Sequence, residues 1–315
     1  MKNKLSVTLI LVFLLSATFI FAQKKEERNN PKIRATDSHS KKKADEDKEP
    51  LVRWHYGFNV GVYLANRYNA NYYNGSEDNV NKLSYVMKNQ YWVNEIRQLL
   101  NLSSTDSIYY KKDDLPSKMH YNTTMTAGVF LRYSLTRRLD FFLDANYAKL
   151  KADDVVTMTK SHDTTTLQLY YKLPIPIHGE EERINFDLGA HYAFPVYKNK
   201  MNLFLEGGLN LNYTKVLKSF IYFVSKEYSI INIYGDQNYV PNSNTQEFPV
   251  TQGGIGYGVF GGGGIGFTFV PQFGMELGSN VRYVSVNMEG YTAFKPSLDI
   301  YLRFTFGSYK SSEDE

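Results

Sequence analysis

Histidines and acids are the residues of this chain that could carry acid–base chemistry. His120, His162 and His178 lie in hydrophilic segments, the last two with Asp163 and Glu180 close by in sequence. A hydrolase would need such a histidine gathered with an acid and a serine or water nucleophile. Spacing along one chain does not gather them, so plain surface histidines are the simpler expectation. Gly256-Tyr257-Gly258-Val259-Phe260-Gly261 matches the G-x-G-x-x-G pattern of dinucleotide loops. That loop must open a helix, yet residues 262–269 continue in strand alternation. These glycines are instead expected to thin a wall and leave room for inward side chains such as Phe142 and Tyr301. Asp113-Asp114, Asp153-Asp154 and Glu180-Glu181-Glu182 could draw divalent cations, although solvated acidic loops are the plainer reading. The chain has no cysteine, which excludes disulfides, thiolate zinc sites, cysteine nucleophiles and a lipidated N-terminal cysteine. No cofactor or metal is expected.

A second set of charges has a stricter pattern. Arg132, Asp140, Asp144, Arg183, Asp187, Glu206, Glu276, Arg282, Asp299 and Arg303 all alternate with large apolar residues. A period of two is that of a strand with two unlike faces. Trp54, Tyr56, Phe58, Val60, Val62 and Leu64 form one apolar face, and His55, Gly57, Asn59 and Gly61 lie on the other. The split recurs near residues 124–133, 139–147, 183–194, 203–213, 255–269, 275–283 and 298–306. A soluble sandwich also alternates. These runs, however, last about ten residues, the length of a tilted membrane strand, and Tyr, Trp and Phe gather near their ends as interfacial girdles do. The 48 aromatics (20 Phe, 26 Tyr, 2 Trp) belong to this pattern.

Connections sharpen the expectation. Residues 135–138, 195–200 and 270–273 are short links, whereas 66–121, 153–182, 215–253 and 287–293 are longer. Short turns on one side and long loops on the other mark an outer-membrane barrel with both termini in the periplasm. The fold expected is all-β: an eight-stranded antiparallel up-and-down transmembrane β-barrel over residues 53–309. Its inward charges must pair, because isolated buried charge is costly. Residues 155–159 and 164–177 are read as a hairpin above the membrane, turning at Ser161-His162-Asp163, with the ladder interrupted at Pro174 and Pro176. The longest loop predicts a helix over residues 79–101, capped by Ser76-Glu77-Asp78. Leu83, Val86, Val93, Ile96 and Leu100 form its apolar stripe, which should lie over the barrel mouth or bind a partner.

Lys2 and Lys4 before the apolar stretch Leu5 to Phe21 predict a signal peptide over residues 1–22. Residues 23–52, rich in Lys, Glu, Asp, Asn and Ser, predict a disordered periplasmic tether, and residues 310–315 a polar tail. The net charge of +4 is too slight to imply nucleic acid.

Together with the final run Leu298-Asp299-Ile300-Tyr301-Leu302-Arg303-Phe304-Thr305-Phe306, these features resemble the bacterial outer-membrane β-barrel families, most of all the PorT-like barrels, similar in fold to the OmpA transmembrane domain. The resemblance is one of pattern, and no site residue carries over. It implies residence in the outer membrane among lipid and lipopolysaccharide, delivery by the barrel-assembly machinery, and accessory partners in protein secretion, gliding or the envelope. The function expected is a non-enzymatic anchor or scaffold that binds through its outer loops. A narrow pore or small-ligand transporter is the alternative, and a loop-based hydrolase the third.

Overall fold

A computed structural model describes residues 53–163, 168–197, 200–231, 251–270 and 272–308. The expected leader, tether and polar tail lie outside these residues. β-Branched and aromatic residues alternating with small or polar ones favour extended chain. The described strands are β1 (Trp54–Leu64), β2 (Asp106–Tyr109), β3 (Thr124–Ser134), β4 (Leu139–Asp163), β5 (Gln168–Tyr197), β6 (Met201–Phe223), β7 (Lys226–Ser229), β8 (Gly253–Val270), β9 (Phe273–Ser285) and β10 (Lys295–Ser308). β1, β3, β4, β5, β6, β8, β9 and β10 close an antiparallel ring of eight, each paired with its neighbour in sequence, and β10 returns to β1.

The ladder can be followed round the wall from His55 through Arg132, Phe142, Gly189, Gly208, Phe260 and Arg282 to Ser297. On its other side His55 meets Gly307 of the same last strand. The offset of ten residues between Ser297 and Gly307 is the shear. With eight strands it corresponds to a tilt of about 35–45° and an interior that side chains can fill. The 11 residues of β1 then climb about 25 Å, the height of an outer-membrane apolar band.

The barrel is inside out. Leu205 and Leu209 are 59% and 62% exposed, and Leu143, Leu188, Val259, Leu277, Val281 and Ile300 share that outer face. Arg183, Arg282, Arg303, Asp187 and Glu206 are buried inside. Water-soluble monomers rarely expose so extensive an apolar belt, which is the mark of a surface that meets membrane. Aromatics flank it: Trp54 packs on Tyr133 and Phe273 on Phe306 near the short turns, while Tyr257 and Tyr283 pack on Phe294 at the far end. Among the described residues no helix is long and apolar enough to span a membrane.

Beyond the far rim the wall changes character. The outward residues of β4 are Phe141, Leu143 and Tyr147 within the belt, then Lys149, Lys151 and Asp153 above it. The buried apolar residues become Leu150, Ala152, Val156 and Met158 on the inner face. The alternation is continuous, but the apolar face switches sides, as it must where lipid gives way to water. β4 and β5 therefore run on for 25 and 30 residues. Their register is unbroken through Val155 opposite Pro176, Thr157 opposite Pro174 and Ser161 opposite Tyr170. This corrects the interruption expected at the prolines and the turn expected at residues 161–163. Both prolines lie beyond Ile177, the last β5 residue paired with β6, so on that side their missing N–H groups cost no ladder bond. β6 also continues past the belt and folds back as β7, where residues 215–229 were expected to form a loop. β2 adds outside β4, giving a raised wall ordered β2-β4-β5-β6-β7.

The loop between β1 and β3 packs against this wall. It holds α1 (Arg67–Ala70), α2 (Ser84–Lys88) and α3 (Gln90–Leu99) rather than one helix over residues 79–101. The break falls at Asn89, whose extended backbone and side-chain oxygen, accepting from the N–H groups of Tyr91 and Trp92, start α3 afresh. Neither α2 nor α3 is capped by residues 76–78. Leu83, Val86, Trp92 and Ile96 are buried against Leu150, Val156, Met158, Ile177, Ile221, Phe223, Tyr228 and Met288, with Leu100 packed at the edge and Val93 half-buried. The apolar stripe is thus spent inside the molecule as the core of a dome, which corrects its reading as a partner-binding surface.

Candidate functional site

Strand parity brings the inward charges to one axis. Arg303, fully buried, donates through Nη1 to Glu206 at 3.1 Å and Glu276 at 3.0 Å, and through Nη2 to Asp144 at 3.0 Å. Arg132 grips Glu276 bidentately at 2.7 and 2.8 Å, with Asp140 3.9 Å away. Arg282 donates to Asp187 at 2.7 and 3.1 Å and lies 3.3 Å from Asp299. These nine residues therefore meet in ion pairs, whereas Arg183 stands apart at the barrel mouth with Glu181 and the Tyr63 hydroxyl.

Glu181 was missed because residues 180–182 read as a solvated acidic loop. It is fully buried, and it accepts from the hydroxyls of Tyr73 at 2.7 Å and Tyr121 at 2.9 Å. Its two-residue spacing from Arg183, on the same inward face of β5, was the available signal. Seven interior acids thus face four arginines. Neutral donors make up part of the difference: Asn59 bonds Asp144 at 2.9 Å, Asn210 bonds Asp187 at 2.7 Å, and Asn280 and the Tyr301 hydroxyl each bond Glu206 at 2.6 Å. His191 lies 3.4 Å from Asp140 and 3.7 Å from Glu276, stacked on Phe204.

The glycines let this interior close up. Asn280 pairs across the ladder with Gly262, and a Cβ there would lie 2.0 Å from the Asn280 Oδ1. Asn59 and Gly128, Asn212 and Gly256, and Asn202 and Gly266 repeat the arrangement. Each amide oxygen rests over a glycine Cα, a close approach available only where the neighbour has no side chain. Phe142 meets Phe260 edge-on at 5.9 Å, and the Arg303 guanidinium sits 4.6 Å from the Tyr301 ring centre.

The loop histidines do not converge. His120 is exposed. His162 pairs with Asp106 of β2, and His178 with Asp153 and, at 3.3 Å, Glu180. Because Asp153 is the ladder partner of His178, the two histidines lie nine positions apart along β4, about 30 Å. Outside the membrane, the His162 hydrogen bond, with those from Ser103 and Lys160, holds the Asp106 carboxyl well below the usual range. The hydrogen bond from Lys226, helped by that from Tyr228, also lowers the Glu95 carboxyl and ties α3 to β7. Among the described residues no group of three or more His, Asp and Glu is placed to hold a metal ion.

Neither a protein-family model nor a curated protein matches this sequence. Solved structures similar to it include the outer-membrane protein OprG of Pseudomonas aeruginosa, at 10% identity and a TM-score of 0.39, covering 83% of this chain and 98% of that one. Neisserial surface protein A, at 10% identity and 0.37, covers 83% and 100%. The N-terminal β-barrel domain of Pseudomonas aeruginosa OprF, at 10% and 0.31, covers 82% and 100%. At such scores the fold assignment rests on the hydrogen-bonded ring itself.

Proposed function

We propose that this chain is a non-enzymatic, non-conducting anchor of the bacterial outer membrane, of PorT-like kind, whose dome presents a binding surface to envelope or secretion partners. The observation that carries the reading is the interior: four arginines locked to carboxylates inside an eight-stranded wall, with an apolar dome packed at its mouth. A transport path would need mobile or water-lined side chains along the axis, and these are crossed by ion pairs and aromatic rings. Since the stripe from Leu83 to Leu100 is turned inward, the face offered to a partner is the opposite one, where Tyr91 of α3 is 50% exposed. Among the lipids it meets is lipopolysaccharide, and its route into the membrane is the barrel-assembly machinery.

Single cysteines test the placement without background. Ser103→Cys, beyond α3, should react with an impermeant thiol reagent on intact cells, and Thr136→Cys, in the β3–β4 turn, only after the outer membrane is breached. A photo-crosslinker at Tyr91 should then trap the partner. Labelling of Thr136→Cys on intact cells would invert the orientation.

A further inference from the structure

Directly beyond the aromatic band, the outer faces of β4, β5 and β6 carry two stacked rungs of alternating charge. Lys149 stands opposite Glu182, which stands opposite Lys215, and the next rung is Lys151, Glu180 and Lys218. The rung below is Tyr147, Ile184 and Tyr213, the top of the lipid belt, and the rung above is Asp153, His178 and Phe220. Four lysines against two glutamates leave an excess of two positive charges at the depth of lipid headgroups.

Lys149, Lys151 and Lys218 are held in place. Glu180 takes Lys149 at 3.0 Å and Lys151 at 3.5 Å and also touches His178. Glu182 accepts from the Tyr147 hydroxyl at 3.0 Å, and Lys218 lies over the Phe220 ring at 5.4 Å. Among the described residues, β8, β9 and β10 lack this feature at the same rim. β8 starts at Gly253-Gly254 and β9 ends at Ser285, while Lys295 at the start of β10 turns its ammonium onto Tyr68 of the dome at 4.9 Å.

We infer that the outer face of β4–β6 at Lys149, Lys151, Lys215 and Lys218 is a binding site for the phosphate groups of an anionic lipid headgroup in the outer leaflet. The inference rests on the membrane reading above. The rungs continue the lipid-facing surface without a turn, so the molecule that fills the belt below them also presents its headgroup to them. Long lysine stems lie along the sheet and deliver the charge outward. Near an anionic leaflet each lysine strengthens binding roughly fivefold.

The test is native mass spectrometry of the full chain in detergent micelles containing equal amounts of bisphosphorylated lipid A and its dephosphorylated form. The wild type should retain the phosphorylated lipid at least tenfold more, by roughly fivefold for each of the two excess lysines. Changing all four lysines to glutamine should abolish the preference, and changing all four to arginine should keep it, with every variant still showing the heat-shifted gel mobility of a folded barrel. Equal retention of the two lipids by the wild type, or an undiminished preference in the glutamine variant, would overturn the site. Failure of the wild type to insert into any bilayer would contradict the membrane reading instead.

Discussion

Replacing Arg303 by methionine removes the hub of the interior while keeping much of its length. Methionine can still pack among Phe130, Phe142 and Tyr301, whose ring centres lie 5.0, 5.6 and 4.6 Å from the guanidinium carbon. What is lost is three charge-assisted hydrogen bonds, to Asp144, Glu206 and Glu276. At about 1.5–3 kcal/mol each their sum would be an upper bound, since the stranded carboxylates can take up protons. The loss of one partner from a buried ion group, about 3–5 kcal/mol, is the expected destabilisation. Adding Glu206→Gln and Asp144→Asn should recover about half, because the penalty comes from stranded charge rather than lost packing. Urea unfolding in lipid vesicles, followed by the fluorescence of Trp54 in the girdle in a Trp92→Phe background, reads both. A loss below about 1 kcal/mol, or no recovery in the compensated variant, would refute the view that the interior is held by this network.

Neighbouring glycines should differ sharply. Gly262→Ala, whose Cβ would meet Asn280 and the Ser279 carbonyl at 2.0 Å, should cost about 1–3 kcal/mol, whereas at Gly261 the one close atom, the Glu206 carbonyl oxygen, is 3.9 Å away and the same unfolding assay should show little change. Leu205→Arg or Leu143→Arg on the belt should cost about 2–4 kcal/mol in vesicles, whereas a belt of no consequence would show no loss. Asp106→Asn should speed hydrogen exchange in β2 and its β4 partners at neutral pH. Because the folded Asp106 carboxyl is held below its unfolded value of about 3.9, its contribution is present above that pH and is lost as the pH falls towards the folded value. Protection factors there, which remove the intrinsic pH dependence of amide exchange, should therefore stay flat from pH 7 to 5 and fall only in stronger acid, and a fall already at pH 6 would contradict the assignment.

The barrel was legible because lipid and lumen demand opposite chemistry from alternate residues, as at Leu205 outside and Glu206 inside. The raised wall was not, because the apolar face switches sides between Tyr147 and Leu150 and between Tyr213 and Val216, so a search for one continuous stripe stops at the membrane edge. The helical stripe of the first loop was visible in periodicity, but which surface would cover it was not. A sequence shows that Leu83 and Ile96 need burial and is silent on whether Met158 or a partner supplies it. Asn210 shows the same limit. Alternation places it on the lumen face and says nothing of its partner, yet its side chain donates to Asp187, so even polar substitutions there should be costly. Cross-strand pairing, not residue type, distinguishes Glu181 from an ordinary loop acid.

Planar-bilayer recording of the purified wild-type chain shows directly whether the barrel is closed. With Phe142, Phe204, Phe260 and Tyr301 buried in the lumen beside the arginine pairs, no steady conductance is expected at any voltage the bilayer tolerates. A stable, ion-selective channel from the unmodified protein would contradict it and favour transport.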